Sequence, residues 1–245
     1  MKLLIIRHAD PDYDHETLTE KGHKEAELLS QRMIKKPARY YYVSPLGRAR
    51  DTADYTMKKL GREAVVLDWL HEFNASVIRP DRLDRRSYVM DWLPEHWAGD
   101  DRFFSDKKWH ENEIMVEGNI GARYNEVTEK LDELLESHGY VRDGRLYRTE
   151  EGNNDTIVMF CHFGVECVIL SHLLNISPML LWNGTCAAPS SVTTLVTEER
   201  RKGTVYFRML SFGDISHLYA GDEEPSFTGR FAEKYGNPGE RTEDD

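Results

Sequence analysis

The sequence predicts an α/β fold: a three-layer sandwich in which a mostly parallel sheet is flanked by helices. Three observations predict it. Short continuous apolar runs, such as Leu3 to Ile6 and Thr156 to Cys161, read as strands buried on both faces. Between such runs, apolar residues recur at spacings of three and four, the helical period. Over residues 3–67 the order is strand, helix, strand, helix, strand, which suits parallel strands joined by crossover helices.

Each element follows from its residues. Leu3 to Ile6 is the first strand. Thr19 is placed to cap a helix whose buried face is Gly22, Ala26, Leu29 and Met33, and Pro37 stops it. Tyr40 to Val43 is the second strand, ended by Ser44-Pro45. Leu46 to Leu60 is a helix closed by Gly61. Ala64 to Leu67 is the third strand. From Phe73 to Glu117 the alternation stops, and Trp92, Trp97, Phe103, Phe104 and Trp109 make the segment too aromatic for a linker. It reads as a cap insertion over the sheet edge, within a single domain spanning residues 1–245. Ile120, Tyr124, Val127, Leu131 and Leu134 mark a long helix ended by Gly139. Asp143-Gly144 is a turn in a polar excursion reaching Asp155. Thr156 to Cys161 is a strand, Gly164 to Leu174 an apolar helix ended before Pro178. Val192 to Val196 and Thr204 to Leu210 form a last strand pair. The tail after Asp222, rich in Gly, Pro and Glu, reads as loosely held.

Composition narrows the function classes. With 245 residues, 40% hydrophobic and 31% charged, the chain is globular and long enough for a sizeable α/β core. Its 32 Lys and Arg against 43 Asp and Glu leave a net charge of −11. Generic binders of nucleic acid or anionic membranes are basic, so neither partner is expected. An anion is still bound where positive charge gathers locally. Cys161, Cys167 and Cys186 are too few for a disulfide framework and fit a reducing compartment. The apolar run after Lys2 is too short for a signal peptide, and no stretch approaches the roughly 20 apolar residues of a membrane span. The expected location is cytoplasmic.

In open parallel sheets, ligands bind beyond the carboxyl ends of the strands. Arg7-His8 follows the first strand, Ser44-Pro45-Leu46-Gly47-Arg48 the second, His71-Glu72 the third, and His162-Phe163-Gly164 the strand ending at Cys161. Together these residue types suit phosphoryl transfer. Arg7 and Arg48 offer planar donor forks to a phosphoryl dianion. His8 can attack phosphorus when neutral. Glu72 can protonate the leaving alcohol and later activate water. His162 can donate to the developing charge, and the helix opening at Gly164 adds backbone donors. Arginines and imidazoles carry the charge, so no metal and no cofactor is implied. Asp10, close to His8, is a rival proton donor or a substrate contact; Asp10 before Pro11 also reads as an ordinary loop residue.

Arg7-His8-Ala9, the segment Val43-Ser44-Pro45-Leu46-Gly47-Arg48-Ala49-Arg50-Asp51-Thr52-Ala53, and Cys161-His162-Phe163-Gly164 resemble the histidine phosphatase superfamily, in its phosphoglycerate-mutase-like branch. Thr17-Leu18-Thr19-Glu20-Lys21-Gly22 matches as well. The segment around Arg48 is the most specific element. The resemblance covers residues 1–70 and 155–212 well and the middle poorly. It implies His8 as the phosphorylated nucleophile, Arg7, Arg48 and His162 as the phosphate pocket, and Glu72 as the proton donor. Ala9 stands where the family has glycine, and Phe73-Asn74-Ala75 departs from the family's usual continuation after the acid. Phe163 stands where the other main branch has aspartate, which points away from that branch.

The function these residues imply is a metal-independent phosphatase hydrolysing a small phosphate monoester through a phosphohistidine. A phosphoglycerate-type mutase and a catalytically inactive phospho-ligand binding module share the same residues and stay open. Arg79 and Arg82, with Arg85 and Arg86 nearby, are candidate contacts to a second anionic group on the substrate. The same run reads equally as a solvated loop paired with Asp81 and Asp84. The insertion's tryptophans either line a substrate pocket or form the insertion's own small core.

Overall fold

The computed structural model describes residues 1–242. Eight strands form one sheet: β1 (Lys2–Arg7), β2 (Tyr40–Val43), β3 (Val65–Val66), β4 (Val141–Asp143), β5 (Leu146–Arg148), β6 (Thr156–Cys161), β7 (Val192–Arg201) and β8 (Thr204–Asp214). Their spatial order is β3-β2-β6-β1-β7-β8-β5-β4. The pairs β3–β2, β2–β6 and β6–β1 are parallel. The pairs from β1 to β4 across the other half are all antiparallel. The sheet is therefore mixed where a mostly parallel one was expected. β7 and β8 are a long hairpin turned at Gly203, which has a positive φ of 80°. The supposed polar excursion is a second hairpin, β4–β5, that extends the sheet edge. Val141 and Leu146 there are 47% and 38% exposed, so no buried apolar run announces the strands.

Alternation along the strands divides the core between two faces. Leu3, Ile5, Ile157 and Met159 pack in the larger cluster, beneath α3 (Ile120–Ser137), α4 (Phe163–Leu174) and α5 (Pro178–Gly184). Ile6, Val43, Val158 and Phe160 pack on the opposite face, against Leu29 and Met33 of α1 (Glu20–Met33) and Ala49, Ala53 and Met57 of α2 (Gly47–Leu60). Thr19 caps α1 by accepting from the Gly22 N–H at 3.0 Å. Gly61, at φ 60°, closes α2 in the left-handed conformation. No helix among the described residues is long and apolar enough to cross a membrane.

Residues 73–117 make a short hairpin, Ser76–Ile78 with Arg86–Tyr88, followed by turns of 3-10 helix. Their buried rings join the main core and do not form a separate one. Phe73 stacks on Trp182 of α5 at 5.4 Å between centroids, and Trp109 meets the same indole edge-on at 5.8 Å.

The tail after Asp222, expected to be loose, is tied to the rest of the chain at several points between residues 223 and 241. Ser226 Oγ and Thr228 Oγ1 donate to Asp10 Oδ1 at 2.5 and 2.6 Å. Glu223 is paired with Lys21 at 2.6 Å and with Lys24. Arg241 lies 3.7 Å from Asp91 of the insertion. The remainder of the predicted tail, residues 243–245, lies outside the described residues.

Candidate active site

Strand register brings the chemistry together. Arg7 lies opposite Cys161, Phe160 opposite Val43, and Val43 opposite Val66, so four parallel strands end level at one edge. The residues after them are held by the next backbone bonds. His8 N–H donates to Cys161 O at 2.9 Å and Ser44 N–H to Phe160 O at 2.9 Å.

His8 is buried, and its Nδ1 lies 2.8 Å from Ala9 O. A carbonyl only accepts, so Nδ1 carries the hydrogen and Nε2 keeps its lone pair. Burial, then the Arg7 and Arg48 charges, hold the imidazole's pKa well below 6.5, against the opposing Ala9 bond. The loop bearing Ala9 is tied to α2, since Ala9 N–H donates to Thr52 Oγ1 at 3.0 Å and that hydroxyl donates to Arg48 O at 2.7 Å.

The His162 ring lies 5.0 Å from His8, centroid to centroid. Its Nε2 is 2.7 Å from Ser44 Oγ, which also receives the Leu46 N–H at 3.2 Å. When the hydroxyl donates to Nε2, the ring hydrogen is on Nδ1. Burial, followed by His8 and both arginines, lowers the His162 pKa strongly.

Arg7 and Arg48 are 5% and 7% exposed. Arg7 Nη1 donates to Ala187 O at 2.5 Å, and Nη2 reaches Thr228 O at 3.5 Å. Arg48 Nη1 is 3.6 Å from Glu16 Oε2, and its guanidinium lies 5.3 Å from the Tyr13 ring centre. Gly47 is needed for this approach: a Cβ there would stand 2.0 Å from Glu16 O. Among the described residues, three buried nitrogens at this edge have no hydrogen-bond partner: Arg7 Nε, Arg48 Nε and His162 Nδ1.

Glu72 Oε1 accepts from Phe73 N–H at 2.7 Å and Val165 N–H at 3.2 Å. Burial raises its pKa despite those bonds and the two arginines. Gly164, in the first turn of α4, makes room for it: a Cβ there would lie 2.6 Å from Glu72 Oε1 and 2.3 Å from Met90 Cε.

Arg7, Arg48 and Glu72 line a cavity of about 1100 Å³. Its walls also include Tyr13, Tyr88 and Trp92 of the insertion, and Phe231 of the tail. The other candidates are placed elsewhere. Asp10 is committed to three hydroxyls, with Thr19 Oγ1 donating at 2.7 Å beside Ser226 and Thr228, and it does not line the cavity. Those bonds keep its carboxyl below the usual range despite burial, which unsuits it as a proton donor. Arg79 is fully buried and forks onto Asp81 at 3.0 and 2.6 Å. Arg82 closes a turn, its N–H donating to Arg79 O at 3.1 Å. Neither arginine lines the cavity, so the proposed contact to a second anion is not made there. Sequence reasoning missed the part played by Ser44 and Thr52, although both lie in the quoted segment. It also missed the tail, which carries no motif.

The sequence profile of the histidine phosphatase superfamily (branch 1) matches residues 3–208. No curated protein sequence matches the chain. Among solved structures, the chain is similar to a phosphoserine phosphatase from Entamoeba histolytica in complex with phosphoserine. The TM-score is 0.56 at 19% identity, covering 89% of this chain and 98% of that one. It is also similar to a mycobacterial glucosyl-3-phosphoglycerate phosphatase, with TM-score 0.53, 19% identity, and 86% and 98% covered. An alpha-ribazole phosphatase from Shigella flexneri gives TM-score 0.53 at 13% identity, with 88% and 97% covered. These likenesses establish a shared fold, and the profile match over most of the chain establishes descent: the chain belongs to the histidine phosphatase superfamily, branch 1.

Proposed function

We propose that the chain is a phosphomonoesterase that works through a phosphohistidine at His8, without a metal or other cofactor, on a small phosphorylated substrate in the cytoplasm. One observation carries the reading. The unprotonated Nε2 of His8 belongs to the same edge as three buried nitrogens without a hydrogen-bond partner, Arg7 Nε, Arg48 Nε and His162 Nδ1. Buried nitrogens of that kind, acting as donors, are matched to an oxyanion. The phosphatases among the similar structures support the same choice.

In this reading His8 Nε2 forms a bond to phosphorus while the ester P–O bond breaks. Glu72, whose pKa burial raises, gives its proton to the leaving oxygen. The arginines and His162 hold the equatorial oxygens as their charge develops. The Glu72 carboxylate then takes a proton from water, whose oxygen attacks phosphorus as the P–N bond breaks. Inorganic phosphate leaves, and His8 and Glu72 return to their starting states.

Rapid quench with a phosphate ester, in the presence of chelator, is expected to trap one acid-labile phosphate per chain. His8→Ala is expected to trap none and to lose turnover by about 10⁴-fold or more. Unchanged turnover in the variant, or loss of activity in chelator, contradicts the reading. Transfer of the phosphate to a second hydroxyl of the product, without release, would instead favour the mutase. Phosphate binding without any turnover would favour the inactive module.

A further inference from the structure

Arg7, Arg48 and Glu72 of the candidate site stand in the wall of a cavity of about 1100 Å³. Ligand sites for drug-sized molecules run to about 300–1,000 Å³, so a phosphorylated three-carbon acid would leave most of this one empty. The remaining wall mixes polar residues such as Asp91, Asn183 and Thr185 with rings from separate parts of the chain: Tyr13 after β1, Tyr88 and Trp92 from the insertion, Phe163 from α4, and Phe231 from the tail. Tyr13, Tyr88 and Phe231 are 58%, 56% and 44% exposed. Single exposed rings are ordinary; several converging on the mouth of one cavity mark a ligand groove.

The charges beyond the phosphate end are matched internally. Arg230 is ion-paired with Glu233, and Arg241 lies 3.7 Å from Asp91 with its guanidinium 4.6 Å from the Phe231 ring centre. This wall therefore suits an uncharged body better than a second anionic group. We infer that the substrate is a phosphate monoester whose alcohol carries a bulky, flat apolar group, held between the insertion and the tail by Tyr88 and Phe231. The inference rests on the phosphomonoesterase reading and names its leaving group.

The test uses two alkyl esters with similar leaving-group chemistry, ethyl phosphate and 2-(1-naphthyl)ethyl phosphate, so that ring binding is separated from leaving-group reactivity. The intact protein is expected to hydrolyse the naphthyl ester with a KM at least about tenfold lower. Tyr88→Ala and Phe231→Ala are each expected to raise KM for the naphthyl ester by about three- to tenfold, the worth of one aromatic contact. A far-UV spectrum and thermal midpoint matching the parent's show that the variants are folded, and the ratio of the two KM values is the readout. Equal KM for the two esters, or variants that leave their ratio unchanged, overturns the inference while the phosphatase reading stands. Turnover of neither ester, with no phosphohistidine on His8, overturns both.

Discussion

At the scale of the residue, environment assigns proton positions that side-chain identity leaves open. His8 and His162 are both buried imidazoles, yet their partners differ. Ala9 O fixes the hydrogen of His8 on Nδ1 and leaves Nε2 with its lone pair, whereas His162 meets Ser44 through Nε2 and leaves Nδ1 without a partner. Glu72 is the complementary case, a carboxyl pushed toward its protonated form by burial. A general acid must be protonated at the moment of attack, so kcat/KM is expected to fall as pH rises through the raised Glu72 pKa. Glu72→Gln keeps an acceptor for the Phe73 and Val165 N–H groups but has no proton to give. It is expected to lower kcat on an alkyl phosphate by about 10²–10⁴-fold. On 4-nitrophenyl phosphate, whose leaving group departs without a proton, the loss should be far smaller. An equal loss on both substrates would remove Glu72 from the acid's role.

At the scale of the element, function depends on how closely segments approach. α4 begins against Glu72, and Gly164 is the residue that permits it. Gly164→Ala places a methyl group against Glu72 Oε1 and Met90 Cε. The methionine end can swing aside, but the carboxyl is held by two backbone N–H groups. The variant is therefore expected to lose about 10- to 100-fold in kcat on alkyl phosphates by displacing the acid. Its thermal midpoint is also expected to fall modestly, since overpacking a buried site costs about 1–3 kcal/mol, more than the better helix propensity of alanine returns. Full activity would contradict this. The elements that position the site were legible in the sequence because each strand and its following residues are contiguous: Leu3 to His8, Tyr40 to Arg48, Thr156 to His162. The antiparallel half was harder to read. β4 and β5 expose their apolar residues at a sheet edge, and β7 and β8 extend into charged sequence where alternation fades. The tail escaped for a related reason. Its Gly-, Pro- and Glu-rich composition reads as loose, while Ser226 and Thr228 dock onto an aspartate some 216 residues away in sequence. The same contact commits Asp10 to accepting hydrogen bonds.

At the scale of the whole molecule, buried titratable groups couple stability to pH in two opposing ways. Burial pushes Glu25 and Glu166 up to about 7 from 4.5, and lowers His217 to about 4 from 6.5. His8 and His162 are lowered as well. Between pH 4.5 and about 7 the folded chain holds protons on the two glutamates that the unfolded chain has released, so this part of the stability declines as pH rises. Below pH 6.5 the unfolded chain protonates histidines that the folded chain keeps neutral, so this part declines as pH falls. The two trends oppose each other from pH 4.5 to 6.5. Above 6.5 the glutamate decline outlasts the histidine one, and below 4.5 the histidine decline is joined by that of carboxyls held below their usual range, Asp10, Asp100 and Glu223 among them. A broad stability plateau should therefore span roughly pH 4.5 to 6.5, with an acid limb below it and a shallower fall toward pH 8. Glu166 is buried in α4 and contributes to the glutamate decline across its whole window, pH 4.5 to about 7, on the order of 3 kcal/mol in all. Urea unfolding from pH 4 to 8 would reveal the plateau. Glu166→Gln, which cannot ionise, should flatten the fall between pH 6 and 8 and leave the acid limb unchanged. A variant whose stability falls as steeply as the parent's over that range would show that the Glu166 carboxyl is ionised throughout it in the folded protein.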